Sequence, residues 1–504
     1  MSQQPNILFL QVDQLTASAL RTYGDQSCHS PALDHLADNG VVFENAYCNF
    51  PLCAPSRFSM ATGQLCSKVG AYDNAAEFSA EVPTYAHYLR ELGYQTSLSG
   101  KMHFIGPDQF HGFEKRLTAD LYPADFSWVP NWEDEGDRDT NDARAILISG
   151  IAERTVQMDY DEEVTFKAVQ NIYDLARSND KRPFFMQVSY THPHEPYLCR
   201  KEYWDLYEDK DIPLPAVGPL NEQDHDPHSV RLLNDFGMLE HRFKDEEVLR
   251  AKRAYYGAIS YIDAMIQQLL DALKATGADQ NTAIVFTSDH GEMLGERGMW
   301  FKKHFFEHSM RIPMFIYAPW LDAQRVSELT SLVDLVPTFN SLATEGQWSA
   351  TAEPLEGSDL MTLIDRGNPP PERAVYGEYL AEATPAPIFM IRRGKYKFIT
   401  SSHDGHLLYD LEADPTEVNN LAEDVNHQDV VARFVDEARA KWDTDALNTQ
   451  IRLSQKRRAV VRNATSTGVK TRWNHDEKPG DEVLWYRGEG GYNEWAFNHL
   501  PSKA

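Results

Sequence analysis

Three apolar segments of this 504-residue chain each end in polar or charged residues, and this pattern limits the fold more than any other feature of the sequence. Residues 7–12, 184–190 and 282–286 have the length and apolar character of buried strands. Amphipathic helical stretches lie between them, which is typical of an α/β sheet covered by helices on both faces. Because open α/β sheets place their sites at the carboxyl ends of strands, we expect the polar residues after these segments to meet in one active site.

The sequence changes character near residue 345, where proline and glycine breaks replace the alternation of strands and helices. We predict an α/β catalytic domain at residues 1–370, built on a large, mostly parallel sheet sandwiched by helices. Residues 371–463 are expected to form a smaller C-terminal α+β domain with an antiparallel sheet and one helix at about 429–461. Residues 464–504 are rich in aromatic side chains, so this tail is predicted to pack on a pocket rim or on a neighbouring subunit of a homo-oligomer.

A formal net charge of -28 argues against nucleic acid and anionic membranes as partners, because both require a basic surface. No apolar run approaches the length of a transmembrane helix. The first residues show no basic segment followed by an apolar one, so a cytoplasmic location is expected; an export signal already removed would instead make the protein periplasmic. The five cysteines show neither zinc-site spacing nor a disulfide ladder, which makes one of them a candidate reactive residue.

Two of the three segment ends carry residues that could hold a divalent cation. Asp13 and Gln14 follow the first segment, and Asp289 and His290 follow the third. Two carboxylates, an amide oxygen and an imidazole suit one cation, and the oxygen-rich set favours calcium or magnesium over zinc. Each residue alone has an ordinary alternative, since an aspartate after a strand is a turn or helix-capping residue at least as often as a metal ligand.

The run Cys53-Ala54-Pro55-Ser56-Arg57 indicates an anion site. If residues 54–60 open a helix, the free amides and the dipole at its start would support negative charge beside Cys53. Arg57, one turn later, could bind a tetrahedral oxyanion through two donors. The ordinary alternatives are a small buried cysteine and an arginine in a surface salt bridge.

Four further residues could complete such a site. Lys101 and His103 follow the strand-like residues 95–99, His194 follows the second apolar segment, and Lys302 lies shortly after the third. Separately, each is as easily explained as a solvated lysine or a hydrogen-bonded core histidine. Together they would supply an oxyanion clamp and proton donors for a leaving group.

In this order, these residues resemble the type I sulfatases of the alkaline-phosphatase-like superfamily. The family signature is a CxPxR run, which is present at 53–57. The supporting motifs are Val12-Asp13-Gln14, Gly100-Lys101-Met102-His103, Pro193-His194-Glu195-Pro196, Ser288-Asp289-His290-Gly291-Glu292 and Leu408-Tyr409-Asp410-Leu411. The resemblance covers about residues 5–425. It implies that the protein hydrolyses sulfate esters and that a maturation enzyme converts Cys53 to formylglycine.

The resemblance also implies a role for each site residue. The ligands of a calcium ion, or of magnesium as the alternative, would be Asp13, Gln14, Asp289, His290 and the modified Cys53. The residues that offset the charge of the sulfate would be Arg57, Lys101 and Lys302. The hydrated aldehyde would attack sulfur while His194, assisted by Lys302, protonates the leaving alcohol. His103 would then deprotonate the second hydroxyl, which regenerates the aldehyde and releases sulfate.

Within the family, the resemblance is greatest to the choline sulfatases, through runs such as Ala71-Tyr72-Asp73-Asn74-Ala75-Ala76-Glu77. That branch implies substrate contacts from Asn74, Trp128 and Asp161. Residues 131–150 lack an expected Trp-Trp-Tyr-His stretch and carry Arg138 and Arg144, which would suit a polyanion. We therefore rank a small sulfated saccharide, or the end of a sulfated oligosaccharide, slightly above choline sulfate as the substrate.

Two other functions remain open. Relatives with this type of metal site hydrolyse phosphate or phosphonate monoesters, whose extra negative charge separates them from sulfate esters. The other is a binding protein on an inactive scaffold, which is disfavoured because every expected catalytic position is filled.

Overall fold

The structure is a computed structural model that describes residues 4–133, 142–239, 241–347, 351–364 and 372–467. The strands are β1 Asn6–Val12, β2 Val41–Tyr47, β3 Gln95–Gly100, β4 Lys115–Arg116, β5 Gly150–Ile151, β6 Phe184–Ser189, β7 Leu198–Cys199, β8 Thr282–Ser288, β9 Met314–Tyr317, β10 Gln324–Ser331, β11 Ala374–Tyr379, β12 Ile388–Arg393, β13 Tyr396–Ser401 and β14 Gly405–Asp410. The α-helices are α1 Pro31–Asp38, α2 Cys53–Thr62, α3 Cys66–Val69, α4 Tyr85–Glu91, α5 Arg144–Leu147, α6 Val156–Arg177, α7 Lys201–Asp205, α8 Pro227–Asp235, α9 Asp245–Thr276, α10 Glu307–Met310, α11 Leu335–Thr344, α12 Gln428–Lys441 and α13 Thr444–Thr465.

Eight strands form one large sheet in the order β10-β2-β9-β8-β1-β6-β3-β4. Strand β9 runs antiparallel to both of its neighbours, and the other adjacent pairs are parallel. In β6 and β8 every residue is buried, although successive side chains point to opposite faces, so both faces of the sheet are covered at its centre. The predicted α/β fold with a large, mostly parallel sheet is confirmed.

The register of the central strands brings their carboxyl ends to the same level. Val12 of β1 pairs with Ser288 of β8, and Gln11 pairs with Ser189 of β6. Ser189 in turn pairs with Gly100 of β3. The loops that leave these four strand ends carry the residues predicted to form the active site, at the edge where open α/β sheets place their sites.

A second, antiparallel sheet has the strand order β11-β12-β13-β14, which confirms the predicted C-terminal α+β architecture. The single helix predicted at about 429–461 is wrong, because α12 and α13 are separate helices. The break lies at Trp442, which is extended and whose indole donates a hydrogen bond to the buried Glu378 carboxylate. Asp443 then caps α13 by accepting from the amide of Ala446. A tertiary contact thus overrides helical periodicity.

The predicted boundary at residue 370 and most of the predicted 464–504 tail lie outside the described residues, so the domain limits remain predictions. Within the described ranges, no helix is both long enough and apolar enough to cross a bilayer.

Candidate active site

A cluster of four buried side chains lies where the central strands end. Asp13 follows β1, Asp289 and His290 follow β8, and Cys53 is the first residue of α2. Each of them offers one ligand atom, and these atoms all lie within 4.8 Å of one another. The sequence therefore correctly predicted that these residues meet, and their donor set is one that could hold a metal ion.

The Cys53 thiol sits at the start of α2 as expected, in contact with the cluster. Its Sγ lies 3.3 Å from His290 Nε2 and 3.9 Å from Asp13 Oδ1. Burial alone would raise the pKa of this thiol, but the positive charges of Lys101, Lys302 and His290 hold that pKa well below its usual range. Residue 53 therefore occupies a place that favours a negatively charged group.

The orientation of His290 leaves one ring nitrogen available to a cation. Its Nδ1 lies 3.1 Å from the carbonyl oxygen of Gly291, and this acceptor assigns the proton to Nδ1. The lone pair of Nε2 then faces the carboxylates, 3.8 Å from both Asp13 Oδ1 and Asp289 Oδ1. Only glycine fits at 291, because a Cβ there would lie 2.0 Å from the carbonyl oxygen of His308.

Arg57 lies behind the carboxylates rather than facing a substrate. Its Nε donates to Asp289 Oδ2 at 2.8 Å and its Nη2 to Asp13 Oδ2 at 3.1 Å. Its Nη1 donates to the carbonyl oxygen of Lys101 at 2.6 Å and to Ser189 Oγ at 2.8 Å. The contact of Arg57 with an oxyanion stays a prediction, and in this structure the fully buried side chain orients the two carboxylates.

Gln14 forms side-chain hydrogen bonds to three charged residues of the site. Its side-chain oxygen accepts a hydrogen bond from Lys302 Nζ, and its Nε2 donates to Glu195 and Glu292. Both polar atoms of the carboxamide thus have hydrogen-bond partners, and the backbone φ of 66° lies in the left-handed region. Gln14 as a metal ligand stays a prediction.

Lys101 and His103 enter the site from the end of β3. Lys101 is buried, pairs with Asp13 Oδ2, and its Nζ lies 3.6 Å from the centre of the Tyr122 ring. Burial lowers the pKa of His103, an effect that the neighbouring Cys53 thiol partly offsets, so the neutral imidazole is favoured. The end of β3 lies so close to β6 that position 100 requires glycine, because a Cβ there would lie 1.9 Å from the carbonyl oxygen of Ser189.

Lys302 and His194 form a hydrogen-bonded pair beside this group. Lys302 Nζ lies 2.9 Å from His194 Nε2 and 3.8 Å from Glu195 Oε1. Burial disfavours the charge on Lys302, but the negative charges of Glu195, Cys53 and Asp13 together more than compensate and raise the pKa of Lys302 above its usual value. The structure thus brings both predicted proton donors together.

The profile of the sulfatase family matches residues 5–345 of this chain. The chain belongs to the sulfatase family. A second profile, described as N-sulphoglucosamine sulphohydrolase, C-terminal, matches residues 295–442 of this sulfatase. The predicted family and the predicted sulfuric ester hydrolase are thereby confirmed.

Relatives of the sulfatase span nearly its whole length. A choline-sulfatase of Rhizobium meliloti (strain 1021) is 43% identical over 485 residues, which cover 94% of this chain and 93% of the relative. An arylsulfatase of Clostridium perfringens (strain 13 / Type A) is 30% identical over 448 residues, 83% of this chain and 90% of the relative. The solved phosphonate monoester hydrolase of Agrobacterium radiobacter has a TM-score of 0.69 at 23% identity, covering 89% of this chain and 96% of that one, and this likeness concerns the fold alone.

Two residues of the sulfatase that were predicted to contact substrate lie close to Cys53 or to His103. Asn74 Oδ1 accepts a hydrogen bond of 3.0 Å from the amide of Ala54, at the start of α2. Trp128 packs edge-on against His103, with 5.7 Å between ring centroids, and also contacts Tyr122. These rings form an aromatic group beside His103.

The remaining predicted substrate contacts lie elsewhere. Asp161 is completely buried, and its carboxylate accepts from the amides of Thr191 and His192 and from His192 Nδ1. The substrate contact of Asp161 stays a prediction, and in this structure its carboxylate holds the loop that leads to His194. Arg144 is exposed and paired with Asp142, and Arg138 lies outside the described residues.

Three residues that contact the predicted ones had no role assigned from the sequence. Glu195 follows His194 directly and Glu292 lies two residues after His290, each within a family motif, so those motifs were the available signal. Tyr122 lies in the run 121–126, which resembles the choline-sulfatase branch, but only the folded chain shows that its ring contacts Lys101.

Proposed function

We propose that this sulfatase hydrolyses a sulfate monoester with a formylglycine formed from Cys53 and with a bound calcium ion. The observation that carries the proposal is the buried cluster of Asp13, Cys53, Asp289 and His290, with the thiol at the start of a helix. A thiol cannot provide the second hydroxyl whose deprotonation would release sulfate, whereas a hydrated aldehyde can. A maturation enzyme that acts on Cys53 is therefore part of the proposal.

The residues present fit a calcium ion. Both carboxylates direct Oδ2 to Arg57, which leaves their Oδ1 atoms on the side of His290 Nε2. Two carboxylate oxygens, one imidazole nitrogen and an oxygen of the converted residue 53 form a set rich in hard ligands, which calcium prefers. Calcium, when bound, would supply positive charge that stabilises the developing charge on the sulfate.

The chain itself supplies the other charges and protons. Lys101 and Lys302 place two buried cations around residue 53 and would offset the negative charge of the sulfate. The Lys302–His194 pair would protonate the ester oxygen as the S–O bond breaks. His103, which burial keeps neutral, would accept the proton that leaves residue 53 in the second half of the reaction.

For the substrate we propose choline sulfate, ahead of the sulfated saccharide that the sequence favoured. The relative named choline-sulfatase is 43% identical over 94% of this chain, and the group of Tyr122 and Trp128 provides aromatic faces suited to a quaternary ammonium. The argument for a polyanion is weaker, because Arg144 is exposed and already paired with Asp142.

The test compares three classes of substrate. Sulfate release is measured for choline sulfate and for a panel of sulfated oligosaccharides, and product release is measured for phenylphosphonate monoesters. The Cys53→Ala protein is the control for contaminating activity. We expect choline sulfate to have the highest kcat/KM and the control to be inactive. Preference for an oligosaccharide would overturn the proposed substrate, and preference for the phosphonate would overturn the proposed sulfatase reaction.

A further inference from the structure

We propose that Gln14 is the positioning residue for the proton donor of this reaction, because its carboxamide fixes Lys302 against His194. The inference deepens the proposed function and rests on it, since it concerns the proton that the leaving alcohol receives. Gln14 itself is not expected to touch the substrate.

Gln14 is held in place through its backbone as well as its side chain. Its amide donates to Asp289 Oδ1 at 3.0 Å, and its carbonyl oxygen accepts from the Tyr255 hydroxyl at 2.6 Å. Its φ of 66° lies in the left-handed region, which residues other than glycine rarely adopt. The residue has no exposed surface, so the carboxamide has one fixed direction.

Each polar atom of that carboxamide has a hydrogen-bond partner. Only an amide offers both the acceptor and the donor that these partners require. The oxygen accepts from the Lys302 ammonium, while the nitrogen donates to two carboxylates, at 2.5 Å to Glu195 and also to Glu292. A glutamate would place an acceptor against those carboxylates, and a leucine would offer neither donor nor acceptor. The polarity of the surroundings therefore specifies glutamine.

The consequence reaches His194 through Lys302. His194 Nδ1 lies 2.8 Å from the carbonyl oxygen of Glu195, which assigns a proton to Nδ1. Nε2 must then accept from Lys302 Nζ, 2.9 Å away. Lys302 thus donates one N–H to Gln14 and one to His194, and its third N–H can face the ester oxygen. When the S–O bond breaks, its electron pair stays on the ester oxygen, and that oxygen takes a proton from Nζ.

Removing the amide should affect substrates according to their need for that proton. A 4-nitrophenolate leaves easily without protonation, whereas an unsubstituted phenolate is more basic and depends on a proton donor. For Gln14→Leu we expect the loss in kcat/KM for phenyl sulfate to exceed the loss for 4-nitrophenyl sulfate by about 10- to 100-fold, part of the usual range of general acid catalysis. Damage to the cluster of Asp13, Cys53, Asp289 and His290 would slow the hydrolysis of both substrates equally.

A paired exchange provides the rescue experiment. Gln14→Glu should cause the same selective loss, since it sets a third carboxylate against Glu195 and Glu292. Glu292 Oε1 accepts from the amides of Leu294 and Phe301, so a glutamine at 292 can keep those bonds and turn its nitrogen toward residue 14. The double variant Gln14→Glu/Glu292→Gln should therefore recover part of the phenyl sulfate rate.

The control is Gln64→Leu, which removes a buried glutamine that donates to the carbonyl oxygen of Pro354. It should leave the ratio of the two rates unchanged. Formylglycine and calcium contents are measured for every variant. Equal losses on both sulfates with both contents intact, no loss, or no recovery in the double variant would overturn the role of Gln14. Absence of sulfate turnover by the wild-type protein would instead contradict the proposed function, and with it this inference.

Discussion

Arg57 joins the two carboxylates of the cation cluster through different nitrogens of one guanidinium group. Its Nε and Nη2 donate to Asp289 and Asp13, and its side chain has no exposed surface. The planar fork of arginine makes both bonds in fixed directions, whereas a lysine could direct its ammonium to only one region. Arg57 therefore orients the two carboxylates that would hold the proposed calcium ion.

Replacing Arg57 with lysine should weaken calcium binding by about 10- to 100-fold, as found when residues that orient metal ligands are lost. Isothermal titration calorimetry with calcium measures this directly. Arg144→Lys, at an exposed position paired with Asp142, is the matched control and should bind calcium like the wild type. Unchanged affinity in Arg57→Lys would show that Arg57 does not support the carboxylates.

The residue types of the site could be predicted from the sequence, but several side-chain directions could not. Asp13, Cys53, Asp289 and His290 meet because parallel strands end at one edge of the sheet, which is a general property of the fold. Gln14 itself has a left-handed backbone, and Asp161 accepts from the loop at 191–192, so their partners depend on backbone geometry that could not be read from the order of the residues.

At the scale of elements, a buried carboxylate of α9 holds the start of α1. Asp263 accepts from the amides of Ala32 and Leu33, at 3.1 and 2.8 Å, and is 3% exposed. Burial raises the pKa of Asp263 to about 7, although the two amides oppose this shift. The folded state therefore binds a proton more tightly than the unfolded state, where an aspartate has a pKa of about 3.9.

This linkage predicts how stability changes with pH. The contribution of Asp263 is fully present below about pH 4 and is lost as the pH rises through about 7, because the ionised group is then buried. We therefore compare the melting temperature of Asp263→Asn with that of the wild type at two pH values. The difference should be more favourable to the variant at pH 8 than at pH 5.5. Asp271→Asn, on the exposed face of the same helix, should show no such dependence. An equal difference at both pH values would contradict the raised pKa.

The elements themselves were largely predictable. Residues 7–12, 184–190 and 282–286 were predicted as strands and are observed as Asn6–Val12, Phe184–Ser189 and Thr282–Ser288. Such short, continuous apolar runs are typical of strands that are buried on both faces of a sheet. The break between α12 and α13 was missed because the indole of Trp442 reaches Glu378, and that contact is visible only in the folded chain.

At the scale of the whole molecule, the last described helix is attached to the loop beside the nucleophile. Arg458 of α13 forms a bidentate pair with Asp73, at 2.6 and 2.7 Å, and both side chains are buried. The neighbouring Asn74 accepts from the first amide after Cys53. A contact across the fold thus connects α13 to the loop of Asp73 and Asn74, which contacts the start of α2.

Arg458→Met should lower the free energy of unfolding by about 3–5 kcal/mol, because it leaves the Asp73 carboxylate buried without its partner. Denaturant unfolding measures the loss. The double variant Arg458→Met/Asp73→Asn removes the unpaired charge and should recover part of it, because the side-chain oxygen of the introduced asparagine can still accept from the amide of Ala75, as Asp73 does. If the double variant is no more stable than the single one, the ion pair is not the source of the loss.

The proposed nucleophile is formylglycine derived from Cys53. Its most direct test is mass spectrometry of the peptide containing residue 53, combined with sulfate release, across preparations made with different amounts of the maturation enzyme. We predict that activity rises in proportion to the formylglycine fraction and falls to zero when residue 53 is entirely cysteine. Full sulfate release by protein that contains only the unmodified cysteine would contradict the account.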